Sequence, residues 1–362
     1  MLAFLPLAAV TSFAGSATWN IDPASDQWES ASNWTPATIP NGPNDTATFG
    51  VSNTTNVHTT CVVDTEVNGI VFNPGASPFK ITVESCASYQ VTLTISGVGI
   101  TNNSGTTQNF VAVGDNGGGD VGVIQFKNSA TAGDLTTLTN AVGFEGTSGM
   151  IQFVDDSNGG TARVEVFGHA DRQDESGLDI SSHNAPGVTI GSLEGDGAVT
   201  LGASNLTIGS NNLSTTFSGV IRGAGSLTKI GTGKLTLASS NKYAGCTVVD
   251  EGVLLINNTR GSGTGTRAVQ VNAGALGGKG IIGGGVTVGT GSGSGGFLSP
   301  GVDAASHRTL RVRKTLTFNS DATYRCGFNS STAHADKVAN GVEEILFATS
   351  GRVKKQIPCL FQ

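Results

Sequence analysis

The feature that most constrains this chain is a period of two that never gives way to a longer one. Residues 223–256 read GAGSLTKIGTGKLTLASSNKYAGCTVVDEGVLLI. Short alternating runs at 227–230, 234–237, 247–249 and 253–256 each close on Gly, Ala-Ser, Asn or Asp. Alternation of this kind is the signature of a strand with one buried face, and the closing residues are turn formers. None of the runs reaches helix length. The segment therefore predicts a small coil of strands joined by tight turns, with Leu227, Leu235, Leu237, Val249, Leu254 and Ile256 pointing inward and the glycines at corners that need positive φ.

The same texture extends in both directions. Short strands are expected at 61–63, 70–72, 81–83, 91–95, 110–113, 121–126 and 150–153, with Asn-Pro-Gly and Gly-Asp-Asn-Gly-Gly-Gly-Asp segments among the breaks. They resume at 188–190, 199–201, 206–208 and 217–221, and continue past the central stretch at 269–271, 277–283, 286–288, 297–298, 310–312 and 316–318. Only 131–142 could pass for a helical turn, and its threonines oppose a long helix. A doubly wound α/β fold needs helices between its strands and is excluded. A sandwich, a barrel and a β-solenoid remain, and unbroken quasi-periodic spacing favours the solenoid, in which each coil touches only its neighbours.

Composition closes off other classes. Glycine supplies 53 of 362 residues, yet not at every third position, so the chain is no collagen. Charged residues are only 13% while hydrophobic ones are 37%, a balance too apolar for intrinsic disorder. The net charge of −7 argues against a nucleic-acid surface, which would cluster Lys and Arg against phosphate.

Four segments can be distinguished. Residues 1–17 hold an apolar run and small residues like a secretory signal without its basic start, or else form a first buried strand. Residues 18–75 contain Trp19, Trp28 and Trp34 interleaved with Pro36, Pro40 and Pro43, which suits a lid over the open end of a sheet stack followed by the first coils. The alternative is a carbohydrate-stacking platform. Residues 76–342 form the body of the solenoid. Residues 343–362 turn basic and lose glycine, either as a cap or as an altered gene end. No apolar run has the length of a membrane helix.

Residues 225–237, then Asn241, Tyr243, Gly245, 247–249 and 252–255, resemble the autotransporter-associated β-strand repeat of bacterial passenger domains. The motif positions are Gly225, Leu227, Lys229, Gly231, Gly233, Leu235, Leu237, Tyr243, Gly245, Gly252 and Leu254. Residues 274–283 and 298–301 resemble the segments downstream of the repeat in such passengers, and Trp19, Trp28, Trp34, Pro40, Asp45 and Phe49 resemble a passenger opening. The resemblance implies an elongated, single-stranded, right-handed parallel β-helix, exported to the bacterial surface or outer membrane and acting as a stalk or adhesin toward cell-surface or polysaccharide ligands. It implies that the repeat aids folding and translocation, and it brings no catalytic residue and no cofactor. Cys246 departs from the small or hydroxyl residue usual there. No translocator barrel, which needs about eight or more amphipathic strands, is expected within this sequence.

No constellation for chemistry is expected. Cys61, Cys86, Cys246, Cys326 and Cys359 lack metal spacing; in an exported protein Cys61 and Cys86 could bridge neighbouring coils, with isolated buried thiols the alternative. His58, His169, His183, His307 and His334 accompany no nucleophile. Asp115 and Asp120 match a calcium repeat only once. Asp155, Asp156, Arg163 and Glu165 are the nearest approach to a polysaccharide lyase or hydrolase site, the rival reading to a noncatalytic stalk.

Overall fold

A computed structural model describes residues 14–59, 63–85, 89–114, 120–143, 147–168, 177–301, 308–325, 327–329, 334–340 and 345–347. Among these, one 3₁₀ turn, Ala31–Asn33, is helical and nearly everything else is strand or turn. The chain is a parallel β-helix. Successive strands fall on different faces, and each pairs with the strand one coil earlier. One sheet of 11 strands runs from Trp34–Thr35 and Ala17–Trp19 to Lys242–Tyr243, and a second of 12 runs from Asn56–Thr59 to Thr323–Tyr324. A third of eight begins only at Gly187–Ile190 and ends at Ile345–Phe347. The crossover that parallel pairing demands is thus supplied by the other faces of the same coil.

Coil length changes along the stack. On the second sheet Phe110, Leu138, Val164 and Leu193 are successive register partners, 26 to 29 residues apart. On the third, Leu206, Leu227, Thr247 and Val269 succeed one another at 20 to 22. The coils around the repeat are the shorter ones, and the step lengthens again to 30 residues between Val286 and Leu316. Alternation does the rest: Ser226–Lys229 and Lys234–Leu237 bury every second residue, and the inward set merges into one continuous core from Ala17 to Val338.

At the N-terminal end the pattern is interrupted. Trp34–Thr35 pairs antiparallel with Ala17–Trp19, on whose other side the parallel stack begins at Gly42–Phe49. Gln27 bridges His58 on the first strand of the second sheet. The tryptophans are buried to within 1%, packed edge to face at 5.0 Å, and continuous with Phe49, Phe72 and Phe79. Each indole N–H donates to a carbonyl: Trp19 to Thr54, Trp28 to Pro40 and Trp34 to Trp28. A stacking platform needs exposed ring faces, so the carbohydrate alternative fails here.

Two other expectations need correction. Within 131–142 no helical turn forms; Thr136–Ala141 is a central strand of the second sheet, because Leu138 and its partners fill an inward column. At the other end, Ile345–Phe347 pairs parallel with Leu316–Phe318, so the stack runs a little past residue 342. Most of the signal-like segment and of the tail, with Cys61, Cys86, Cys326 and Cys359, lies outside the described residues.

Candidate functional site: the repeat coil

The central coil is built by register. Leu227 stands between Leu206 and Thr247 on the third sheet, and Leu235 and Leu237 stand below Leu254 and Ile256 on the second. All six expected core residues are buried. Tyr243 joins them, with no exposed surface, and shares a 2.5 Å hydrogen bond with the Thr247 hydroxyl. Burial holds its phenol well above the ordinary value.

Lys229 is the residue whose placement the sequence conceals. It occupies an inward column that otherwise reads Ile190, Ile208, Val249, Val271, Val288 and Phe318. Its stem lies among these side chains, and its ammonium turns out to the corner, where it donates to the carbonyls of Ile230, Gly231 (2.7 Å) and Glu251 (3.3 Å). The residue is 1% exposed. Desolvation pulls its ammonium down to about 8, and Glu251 opposes that shift. One cation thereby ties a corner to the next coil, using its three donors on three backbone acceptors.

The glycines divide into two kinds. Gly231 (φ 67°) and Gly252 (φ 68°) turn the corner in the left-handed region, as expected. Gly225, Gly233 and Gly245 carry no positive φ. A Cβ there would lie 2.0 Å from the Ser204 carbonyl oxygen, 2.3 Å from that of Leu213 and 2.3 Å from that of Gly225. Contact between stacked coils, and not backbone conformation, selects glycine at these three positions.

Asn241, one of the residues that resemble the repeat, is a second pin. Its Oδ1 accepts from the Ile221 N–H at 2.8 Å and its Nδ2 donates to the Gly263 carbonyl at 2.7 Å, so one buried amide spans the coils on both sides. Gln108, Asn140 and Asn258 each tie their own coil to one neighbour: Gln108 to Phe79 and Ser77, Asn140 to Phe167 and Asn258 to Ile281. A single asparagine beside a turn reads as turn chemistry, which is why its burial escapes notice in sequence.

The enzyme-like group does not assemble. Arg163 and Glu165 lie on the second sheet, with Arg163 paired to Glu165 at 3.1 Å and to Glu194. Asp155 accepts from the Asn128 N–H and Asp156 from the Asn184 amide at neighbouring corners. Among the described residues no three His, Cys, Asp or Glu could hold a metal, and no helix is long and apolar enough to cross a membrane. His183 places its ring nitrogens 2.6 and 2.7 Å from the carbonyls of Asn184 and Ser157, as a link between coils. Cys246 is a free, exposed thiol, and Asp115 lies outside the described residues.

Residues 227–256 match the passenger-associated-transport-repeat family. Gly225 stands two positions before the match, and the other motif residues fall inside it. Over 112 residues the chain is 41% identical to an adhesin, the BmaC autotransporter of Brucella suis biovar 1 (strain 1330). That stretch is 29% of this chain, and the chain spans only 3% of the relative's length. No solved structure matches. The repeat and the relative both belong with autotransporter passengers, which makes this a secreted or cell-surface protein.

Proposed function

We propose that this chain, which carries a passenger-associated transport repeat, is a noncatalytic stalk segment of a surface adhesin, and that the repeat coil promotes passenger folding during export. The observation that carries this reading is that the repeat coil sits in register between coils on both sides, through Leu206–Leu227–Thr247 and Leu235–Leu254–Leu276. In such a stack each finished coil offers a fixed edge to the next, so folding can propagate from whichever coils emerge first. The repeat has the pins that make a good edge: Lys229, Asn241 and the close glycines. The Trp19–Trp28–Trp34 segment serves as the cap, and ligands of the cell surface or polysaccharides bind without turnover.

The test is surface display. With the chain fused to an autotransporter barrel, Leu235→Asp in the repeat coil and Leu138→Asp in an earlier coil each place one carboxylate in the core. Display falls several-fold further for Leu235→Asp; equal loss from the two would remove the special role of the repeat. A panel of polysaccharides incubated with the purified chain yields no new reducing or unsaturated ends, and any such product would overturn the noncatalytic reading.

A further inference from the structure

The charges of this chain are sorted by position. Twenty of its 27 acidic residues, but only four of its 20 basic ones, precede Arg222. In a globular fold that asymmetry would be scrambled. Here each sheet stacks its strands in chain order, so the asymmetry becomes a gradient along the axis, acidic toward the first coils and basic toward the last.

One line of residues on the outer face of the first sheet displays it. Register partners run Glu66, Thr94, Gln125, Gln152, Asp179, Thr200, Arg222 and Lys242, one coil at a time. Beyond the first sheet, backbone hydrogen bonds carry the line through the buried Thr264 and onto the three-stranded sheet that holds Thr309–Val312: Asn241 N–H to Ser262, Gly263 N–H to Ile281 and Arg313 N–H to Ile282. Thr200 is the midpoint of this line. Asp179 and Arg222 stand one coil to either side, and Glu66 and Arg313 stand five coils to either side. At about 4.8 Å per coil the outer pair is roughly 48 Å apart. Gln152 stands opposite Lys242, a neutral match.

A row with opposite charges at equal distances from a neutral centre is complementary to itself when turned end for end. We propose that the outer face of the first sheet is a self-association surface: two copies pack antiparallel about a two-fold axis at Thr200. Asp179 of each copy faces Arg222 of the other, and Glu66 faces Arg313. A two-fold contact uses the same patch twice, so each pair occurs twice and the four salt bridges lie on one side of the stack. The second copy fits better than an anionic polymer, because a polymer drawn to the basic coils would be repelled by the acidic ones.

Sedimentation velocity on the full chain, across protein concentration and from about 25 to 500 mM NaCl, tests this. The expected result is a monomer–dimer equilibrium at low salt that dissociates as the ions are screened. The double variants Arg222→Glu/Arg313→Glu and Glu66→Arg/Asp179→Arg each weaken self-association by about tenfold or more. Mixed one to one, they form a heterodimer, since all four pairs are again opposite in sign; this recovery also shows that both variants are folded. A chain that stays monomeric at low salt overturns the proposal, as does a dimer indifferent to salt and to both reversals. A monomer that instead binds a sulfated polysaccharide through the basic coils would also overturn it and assign those coils to a polyanion.

Discussion

Lys229 shows how one residue can be constrained by packing and by charge at once. Its column is apolar above and below, and its ammonium is satisfied only by backbone carbonyls at the corner. With the folded value near 8 and an ordinary value of 10.5, the unfolded chain holds this proton through a window in which the folded chain has released it. Stability therefore rises with pH between about 8 and 10.5, and that gain is absent below 8. Lys229→Met, which keeps the stem and removes the charge, is expected to be neutral or stabilising at pH 7, with its advantage shrinking as pH approaches 10. Urea midpoints of the two proteins at pH 7, 8.5 and 9.5 check this. Below pH 10 the Tyr243 phenol, held above its ordinary value, does not interfere.

Gly231 tests the other residue-scale constraint. Its φ of 67° is combined with a Cβ position 2.1 Å from the Gly209 carbonyl oxygen. Strain and collision act together, so Gly231→Ala destabilises by about 2 kcal/mol or more, against about 1 kcal/mol for a positive φ alone. Thermal unfolding of Gly231→Ala beside Gly105→Ala separates the two effects, since Gly105 has φ 79° with open space around its Cβ position.

At the scale of the element, the unit is the coil and not the strand. Strands of two to four residues, such as Lys242–Tyr243 or Thr247–Val249, have no independent stability and are held by partners one coil away. Removing one whole coil, residues 234–252, joins Gly233 to Val253, the register partner of Lys234. The shortened chain keeps its β-sheet circular dichroism and a cooperative melt. Removing 234–243 alone deletes half a coil, breaks the register of every later coil and gives aggregation on gel filtration. The N-terminal element behaves differently, because it lies against the edges of two sheets and has fewer neighbours. Trp28→Ala empties a fully buried site beside Trp34 and Phe49 and costs about 3–5 kcal/mol. Hydrogen exchange locates the resulting loss of protection in the first coils and leaves the repeat coil protected.

For the whole molecule, stacking makes length a direct function of coil number. The 12 strands of the second sheet span 11 steps, on the order of 53 Å at about 4.8 Å each. Small-angle scattering is expected to give the skewed distance distribution of a rod, and a symmetric distribution would contradict the fold. The chain-ordered charge gradient is visible at this scale alone, since it needs both the sequence and the direction in which the coils are laid down.

Much of this is legible in the sequence. Runs such as 234–237 and 253–256 are strands because alternation and closing turns act locally, and the inward leucines come from the same pattern. Arg163–Val166 and Ser192–Gly195 are harder to pick out, because charged outward residues blur so short an alternation. The sequence alone determined an all-β chain of short turns with a buried leucine set, since strand period and turn chemistry are properties of neighbouring residues. Tertiary structure decided where the coils meet: that Lys229 ends among carbonyls, that Gly225, Gly233 and Gly245 answer to the coil below, that Asn241 spans three coils, and that Asp155 and Arg163 form no site. Apart from the Lys229 bonds to Ile230 and Gly231, those contacts join residues about 20 or more positions apart, and register, not local preference, brings them together.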